Sequence, residues 1–337
     1  MAGRGSTTKP AAAAKIGDVA RAAGVSSATV SRVMNGSGTV SPARSEAVLA
    51  AAAKLGYQPF GPARALRQQR TRVWAAIVAD IENPFFTAMV RGIEDVANRV
   101  GHRLVLCNSD NDVAKEAAYI EDAIAERMAG VVIAVASDQH SRLDRLIESR
   151  VPVVAVDRRA ARHEDTVDSV LVDNRAGARM ATEHLLHQGI ERVACITGPK
   201  GVSTAEERAQ GYRDAMKAAK LDDEVVRADF KQPGGHDAVH RLLSGPNAPE
   251  GLFVANNLMT LGALEAMREL GVAPPRVRLV GFDDAPWTTL IDPPLTVVSQ
   301  PTYDIGRQAG ELLVTAGSED SARHLVLTPS LVVRSSS

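Results

Sequence analysis

Two groups of residues in this 337-residue sequence have types and spacings that carry chemistry. The first is Ser27, Ala28, Ser31 and Arg32, a small, polar and cationic set at helical spacing. An arginine fork suits the O6 and N7 acceptors of guanine, so this set reads as a surface for base edges in the DNA major groove. The second group follows short apolar runs: Asp80, Asn108-Ser109-Asp110, Ser137, Asp157, Asn256-Asn257 and Asp283-Asp284. A hydroxyl both donates and accepts, and carboxylates and amides answer both roles, while an aromatic face can stack on the apolar face of a ring. A polyhydroxylated ligand, a sugar, is the natural fit. Catalytic signatures are missing: there is no G-x-G-x-x-G after the first strand, no G-x-S-x-G, no G-x-x-x-x-G-K-[ST] and no His/Cys ligand cluster. His140 is the one histidine near a strand end at the expected cleft. Cys107 and Cys195 both lie in apolar runs that read as buried strands, so neither a disulfide nor a metal site is expected.

The first group needs a scaffold, and residues 15 to 55 supply it. Ile16, Val19, Ala20 and Ala23 repeat at i, i+3, i+4 and i+7, which predicts one apolar face of a short helix ended by Gly24. Ser26 is placed to cap a second helix, in which Thr29, Val30 and Val33 turn back toward the first. Ser41-Pro42 starts a third, burying Val48, Ala52 and Leu55 and stopped by Gly56. Two short helices joined by a glycine turn, the second with a bare polar face, form a helix-turn-helix. The second group needs parallel strands. From Val73 onward, short Val/Ile/Ala runs alternate with amphipathic helices, which predicts two doubly wound parallel sheets with a cleft between them. In such sheets ligands bind beyond the carboxyl ends of the strands.

Charge divides the chain the same way. Residues 1 to 72 hold 11 Lys/Arg against two acids, a net +9, and the remainder holds 28 against 38, a net −10. A basic head on an acidic body is the distribution of a phosphate-binding module joined to a regulatory domain. No run of 18 apolar residues and no signal-peptide core occurs, so a cytoplasmic protein with no membrane partner is expected. Residues 1 to 14 read as a disordered tail.

DVARAAGVSSATVSRVMNGSGTVS, then LGYQP, then A-R-A-L-R resemble the head of the LacI/GalR family of transcription regulators, and the likeness continues from Lys15 to Arg334. It implies a helix-turn-helix domain over 15–59 and a hinge helix over 60–71. A ligand-binding and dimerisation domain over 72–337 would resemble the type I periplasmic sugar-binding fold, with one subdomain of about 72–168 and 299–323 and another of about 169–298 and 324–337. By resemblance Arg32 reaches into the major groove, Ser27 and Ala28 select the operator, and Ser31 and Asn35 touch phosphates; Ile16, Ser26 and Thr29 complete the DNA face. Leu66 would wedge open the central base step of the operator with Ala63 beside it, although Phe60 stands where the family usually has Asn and Gly61-Pro62 is a weaker helix former. The ligand positions would be Phe85, Phe86, Asp157, Arg208, Phe230, Asn256 and Asp283. Asn256-Asn257 replaces the family's common Asn-Asp, removing one negative charge. The resemblance implies a homodimer on palindromic double-stranded operator DNA, a repressor of carbohydrate genes released by a small-molecule effector, with no cofactor and no enzymatic activity. Control by a corepressor, a sugar phosphate or a partner protein is the alternative, and a doubly wound α/β enzyme the remote one.

Overall fold

The computed structural model describes residues 14–35, 39–57, 70–274, 276–316 and 321–337. Two compact units divide at Arg70/Thr71.

The first unit is a three-helix head: α1 (Ile16–Ala22), α2 (Ser27–Asn35) and α3 (Pro42–Lys54). Asp18 accepts the Lys15 backbone N–H at 2.9 Å to close the start of α1. Gly24 and Gly56 adopt left-handed φ of +64° and +60°, a conformation open to glycine at little cost, and so stop α1 and α3. Val19, Ala20, Val30, Val48, Ala51 and Ala52 form the core, with Ala23, Val25, Val33, Met34 and Tyr57 packed around it. Two expected core residues lie outside it: Ile16 is 37% exposed and Leu55 39%. Each sits at a helix end, where the buried stripe has run out.

The second unit holds two six-stranded sheets. In chain order its elements begin with β1 (Val73–Val78), α4 (Pro84–Arg99), β2 (Arg103–Asn108), α5 (Val113–Ala125), β3 (Gly130–Ile133), α6 (Leu143–Glu148), β4 (Val153–Val156) and β5 (Asp168–Val172). There follow α7 (Asn174–His187), β6 (Val193–Thr197), α8 (Ser203–Ala218), β7 (Glu224–Arg227), α9 (Gln232–Leu243), β8 (Gly251–Val254), α10 (Asn257–Glu269), β9 (Arg278–Phe282) and β10 (Thr296–Ser299). The chain closes with α11 (Thr302–Val314), β11 (His324–Leu327) and β12 (Ser330–Val332). One sheet runs β11-β5-β4-β3-β1-β2, all parallel; the other runs β12-β10-β9-β8-β6-β7, with β12 alone antiparallel.

Strand β1 shows why the pattern is apolar without alternation. Trp74, Ala76 and Val78 meet the core under α4 and α11, while Ala75 and Ile77 meet the core on the opposite face. Both faces of a parallel sheet are covered, so both sets of side chains are buried. Edge strand β2 is different. Val105 and Leu106 are exposed and Cys107 is half-buried, so only Cys195 occupies the buried strand expected of both cysteines. Glycine lets helices close on one another: a Cβ on Gly306 of α11 would collide with the Met89 carbonyl of α4, and one on Gly262 of α10 with the Gln232 carbonyl of α9.

The subdomain boundaries differ from the expected 72–168 with 299–323 and 169–298 with 324–337. Strand β5 pairs with β4 and β11, so residues 168–172 and 324–327 belong to the first sheet, and β10 at 296–299 to the second. The last extended stretch of the chain is two strands, β11 and β12, one in each sheet. Pro329 lies between them, lacks a ladder donor, and marks the crossing. The three crossings therefore fall at Asp173, at Gln300-Pro301 and at Thr328-Pro329.

Candidate functional site

The carboxyl ends of the two sheets face one another across a cavity with about 410 Å³ of empty space, part of it open solvent. Asp157, Phe230 and Asp283 enter it at left-handed φ of +64°, +65° and +78°. Non-glycine residues take such angles rarely, and a cluster of them marks a site where side-chain aim outweighs backbone comfort. Asp157 directly follows β4 and Asp283 directly follows β9, so the turn out of each strand points its carboxylate into the space. Phe85 and Phe86 arrive differently. Asn83 caps α4 by accepting the Phe85 N–H at 2.9 Å and Pro84 fills the first helical position, which fixes both rings against the cavity, edge to face.

Arg208, on α8, is buried and rigidly held. Nε donates to Asn174 Oδ1 at 2.8 Å, Nη1 donates to the Ala255 carbonyl at 2.7 Å, and the guanidinium lies 3.9 Å above the Phe282 ring. Burial lowers its pKa while Asp283 and Asp157 oppose that shift. The carboxylates answer in the other sense. Burial pushes Asp157 up, with Arg158 and Arg208 pulling it back; burial pushes Asp283 up, with Arg208 and the Gln300 amide, 2.5 Å from Oδ1, pulling it back. Asp157 accepts no side-chain hydrogen bond among the described residues; its nearest cation is Arg158 Nε at 3.6 Å. It is a buried acceptor with capacity to spare for a ligand's donors.

All seven expected ligand positions, Phe85, Phe86, Asp157, Arg208, Phe230, Asn256 and Asp283, line this one cavity. Asn256 does so with its groups engaged: Oδ1 caps α10 on the Met259 N–H at 2.8 Å and Nδ2 donates to the Phe230 carbonyl at 3.0 Å. It positions a neighbour. Asp80 also lines the cavity, held by Lys231 at 2.6 Å. Several residues marked at strand ends turn elsewhere: Asp284 pairs with Arg334 at 2.7 Å, Asn257 donates to Asn83 at 2.9 Å, and Ser137 binds exposed His140. His140 is not part of the lining. Asn83, Asn111, Arg158, Thr204 and Gln300 line the cavity without having been expected as ligand contacts. Arg158 was within reach, being next to Asp157 at a strand end, and Asn83 opens the N-P-F-F stretch. Thr204, in the first turn of a helix, gave no signal.

In the head, Ser26 caps α2, its Oγ accepting the Thr29 N–H at 3.2 Å. Ser26, Ser27, Ala28 and Arg32 are exposed, Thr29 and Ser31 half-buried, and Val30 fully buried. The outward face is thus polar and cationic, with Ile16 exposed at the start of α1. The Asn35 side chain, Ala63 and Leu66 lie outside the described residues.

The sequence profile described as "Bacterial regulatory proteins, lacI family" matches residues 15–59, and that described as "Periplasmic binding proteins and sugar binding domain of LacI family" matches residues 71–333. The chain belongs to the LacI family. It is a DNA-binding transcription regulator and not an enzyme. Among LacI-family relatives, the ribose operon repressor of Halalkalibacterium halodurans is 37% identical over 300 residues, 89% of each chain. Two solved structures of regulators share the fold. The lac repressor dimer bound to operator and the anti-inducer ONPF superposes with a TM-score of 0.85 at 25% identity, covering 96% of this chain and 98% of that one. A CelR–cellobiose complex gives 0.74 at 33% identity, covering 96% and 100%. Among the described residues of this LacI-family chain, no helix is long and apolar enough to cross a membrane and no group of three His, Cys, Asp or Glu could hold a metal.

Proposed function

We propose that this LacI-family regulator is a cytoplasmic homodimer that represses carbohydrate genes from a palindromic operator and is released by a neutral sugar in the cavity between the two sheets. The observation that carries the reading is the composition of that cavity: Asp157, Asp283 and Arg208 set among Phe85, Phe86 and Phe230. A sugar ring presents apolar faces to aromatic rings and hydroxyls at its rim to carboxylates and a guanidinium. Charge favours a neutral ligand over a sugar phosphate. Burial already raises both Asp157 and Asp283, and they lie close enough to repel one another, so a phosphate would add to an unfavourable negative charge. The names of the similar proteins, a ribose operon repressor and a cellobiose-bound regulator, point the same way. No cofactor enters this mechanism.

Release follows from the contacts that span the cleft. Asn257 to Asn83, Lys231 to Asp80, the Ser203 N–H to Asp138 at 3.1 Å and Arg159 to Glu207 at 2.8 Å all join one sheet's half to the other. A ligand held by both halves changes the balance between closed and open cleft, and a coupling of about 1–3 kcal/mol to the DNA-binding state is enough to switch an operator. On the DNA side, Arg32 reads a base, Ser27 and Ala28 tune operator choice, and Ile16, Ser26, Thr29, Ser31 and Asn35 complete the contact face. Ala63 and Leu66 serve the minor groove at the operator centre.

The test is selection of an operator from random duplex DNA, followed by fluorescence anisotropy on the enriched sequence with neutral sugars and sugar phosphates added separately. The expected result is a palindrome released by a neutral sugar. Release by sugar phosphates alone would overturn the neutral-sugar reading.

A further inference from the structure

Phe230 is a cavity wall whose backbone is held in place. Its backbone is fixed on both sides: Asn256 Nδ2 donates to its carbonyl at 3.0 Å, φ is +65°, and the preceding Asp229 accepts the Lys231 N–H at 2.9 Å to start α9. Its ring lies across Gly198, the first residue after β6, on the strand that neighbours β7. A Cβ built on Gly198 would fall inside ordinary contact of three ring atoms of Phe230, Cε1, Cε2 and Cζ, all under 3.0 Å. Gly198 is held as well. Its carbonyl accepts Arg227 Nη1 at 3.3 Å, and Arg227 Nη2 is held in turn by Glu206 at 2.7 Å. Gly198 has an ordinary backbone conformation, since its φ is not among the left-handed ones, so glycine is required there by the ring and not by the chain.

We infer that Gly198 sets the size of ligand this protein accepts, by letting the Phe230 ring lie back against the β6 turn and leaving the cavity its present depth. This inference rests on the reading of the cavity as a sugar site. A methyl at position 198 must displace the ring by about 1 Å or more before carbon–carbon contact becomes favourable. With the backbone pinned by Asn256, the ring swings about its own Cα–Cβ bond into the cavity, where the ligand would lie. Phe230 is part of the cavity lining, so a ring shift of this size takes space from ligands the site now admits.

The experiment is isothermal titration of the wild-type protein, Gly198→Ala, Phe230→Leu and Gly198→Ala/Phe230→Leu with a graded series of polyols, pentoses, hexoses and disaccharides, together with a crystal structure of Gly198→Ala. The expected result for Gly198→Ala is at least tenfold weaker binding of the best wild-type ligand, with the preference moved to smaller members of the series. Added to Phe230→Leu, the same Gly198→Ala change alters affinity less than threefold because leucine ends short of the added methyl, and that loss of effect separates a wall effect from misfolding. Unchanged affinity and order in Gly198→Ala, or an equal loss when the same change is added to Phe230→Leu, overturns the inference. The crystal structure reads the ring directly. If no sugar binds the wild-type protein, the sugar reading fails on its own, while a Phe230 ring left in place in Gly198→Ala still refutes the role given to Gly198.

Discussion

Replacing Asp157 by Asn moves stability and ligand affinity in opposite directions. Asp157 is buried, carries a strained φ, and receives no side-chain hydrogen bond among the described residues, with Arg158 Nε at 3.6 Å as its nearest cation. Burial outweighs Arg158 and Arg208, so the folded-state pKa lies above the ordinary 3.8. The native state then holds this proton more tightly than the unfolded chain. Stability from this group is full below 3.8 and is lost as pH rises through the raised value, so at neutral pH the charged carboxylate is a net cost to the fold. The amide removes that cost: Asp157→Asn melts at a higher temperature than wild type at pH 7, and the gap closes as pH falls toward 4. Ligand binding responds in the opposite sense. A hydrogen bond to a charged group contributes roughly 1.5–3 kcal/mol and a neutral one roughly 0.5–1.5. Two hydroxyls donating to this carboxylate therefore lose about 2–3 kcal/mol in total when it becomes an amide, about a 30- to 150-fold rise in Kd. Calorimetric melting across pH 4 to 8 and sugar titration on the same preparation measure both. A variant that melts lower at pH 7, or one that binds within threefold of wild type, refutes the assignment of Asp157 as a carboxylate held unsatisfied for the ligand.

Three further outcomes follow from the geometry. Arg32→Lys keeps the charge and loses the fork, so discrimination at one operator base pair falls by about 1–3 kcal/mol in competition binding, with non-specific affinity retained. Gly306→Ala forces a Cβ onto the Met89 carbonyl between α11 and α4; chemical denaturation should show a loss of about 1–3 kcal/mol, whereas Gly17→Ala, with open space around it, should show none of that loss. Cys195 is buried and its thiol is pushed up to about 12 by burial, so a thiol reagent at pH 8 should leave it unmodified in native protein and label it once denatured.

The parts of this molecule that sequence reveals are those governed by local period and punctuation. Near-continuous apolar runs announce β1, β6, β8 and β9, and Asn83-Pro84 and Ser41-Pro42 announce the starts of α4 and α3. The cavity lining is legible because a parallel sheet sends its chemistry to one end, so the residue after each strand is a candidate by its place in the pattern alone. What sequence hides is pairing between distant segments. Nothing local in Asp168–Val172 or His324–Leu327 says that they lie side by side in the first sheet, and the expected boundaries misplaced both. Nor does sequence say where a polar side chain directs its hydrogen bonds. Asn256 and Asp284 have the right type at the right place, yet one secures Phe230 and α10 and the other Arg334.

The non-glycine residues with left-handed φ explain how the cavity can be both strained and stable. Arg127, Arg150 and Lys220 sit just past the ends of α5, α6 and α8, where such a residue satisfies the last carbonyls of a helix. The other five, Asp110, Asn111, Asp157, Phe230 and Asp283, all lie beyond strand ends, and four of them line the cavity. Each costs of order 1–3 kcal/mol. Behind Asp157 and Asp283, strands β4 and β9 are almost wholly buried and paired on both sides, and that over-determined sheet keeps those two turns in place. The Asp157 and Asp283 carboxylates are thereby presented to the cavity in one geometry before any ligand arrives. Binding energy is then free to act on the relation between the two sheets, which is the variable an allosteric regulator has to control.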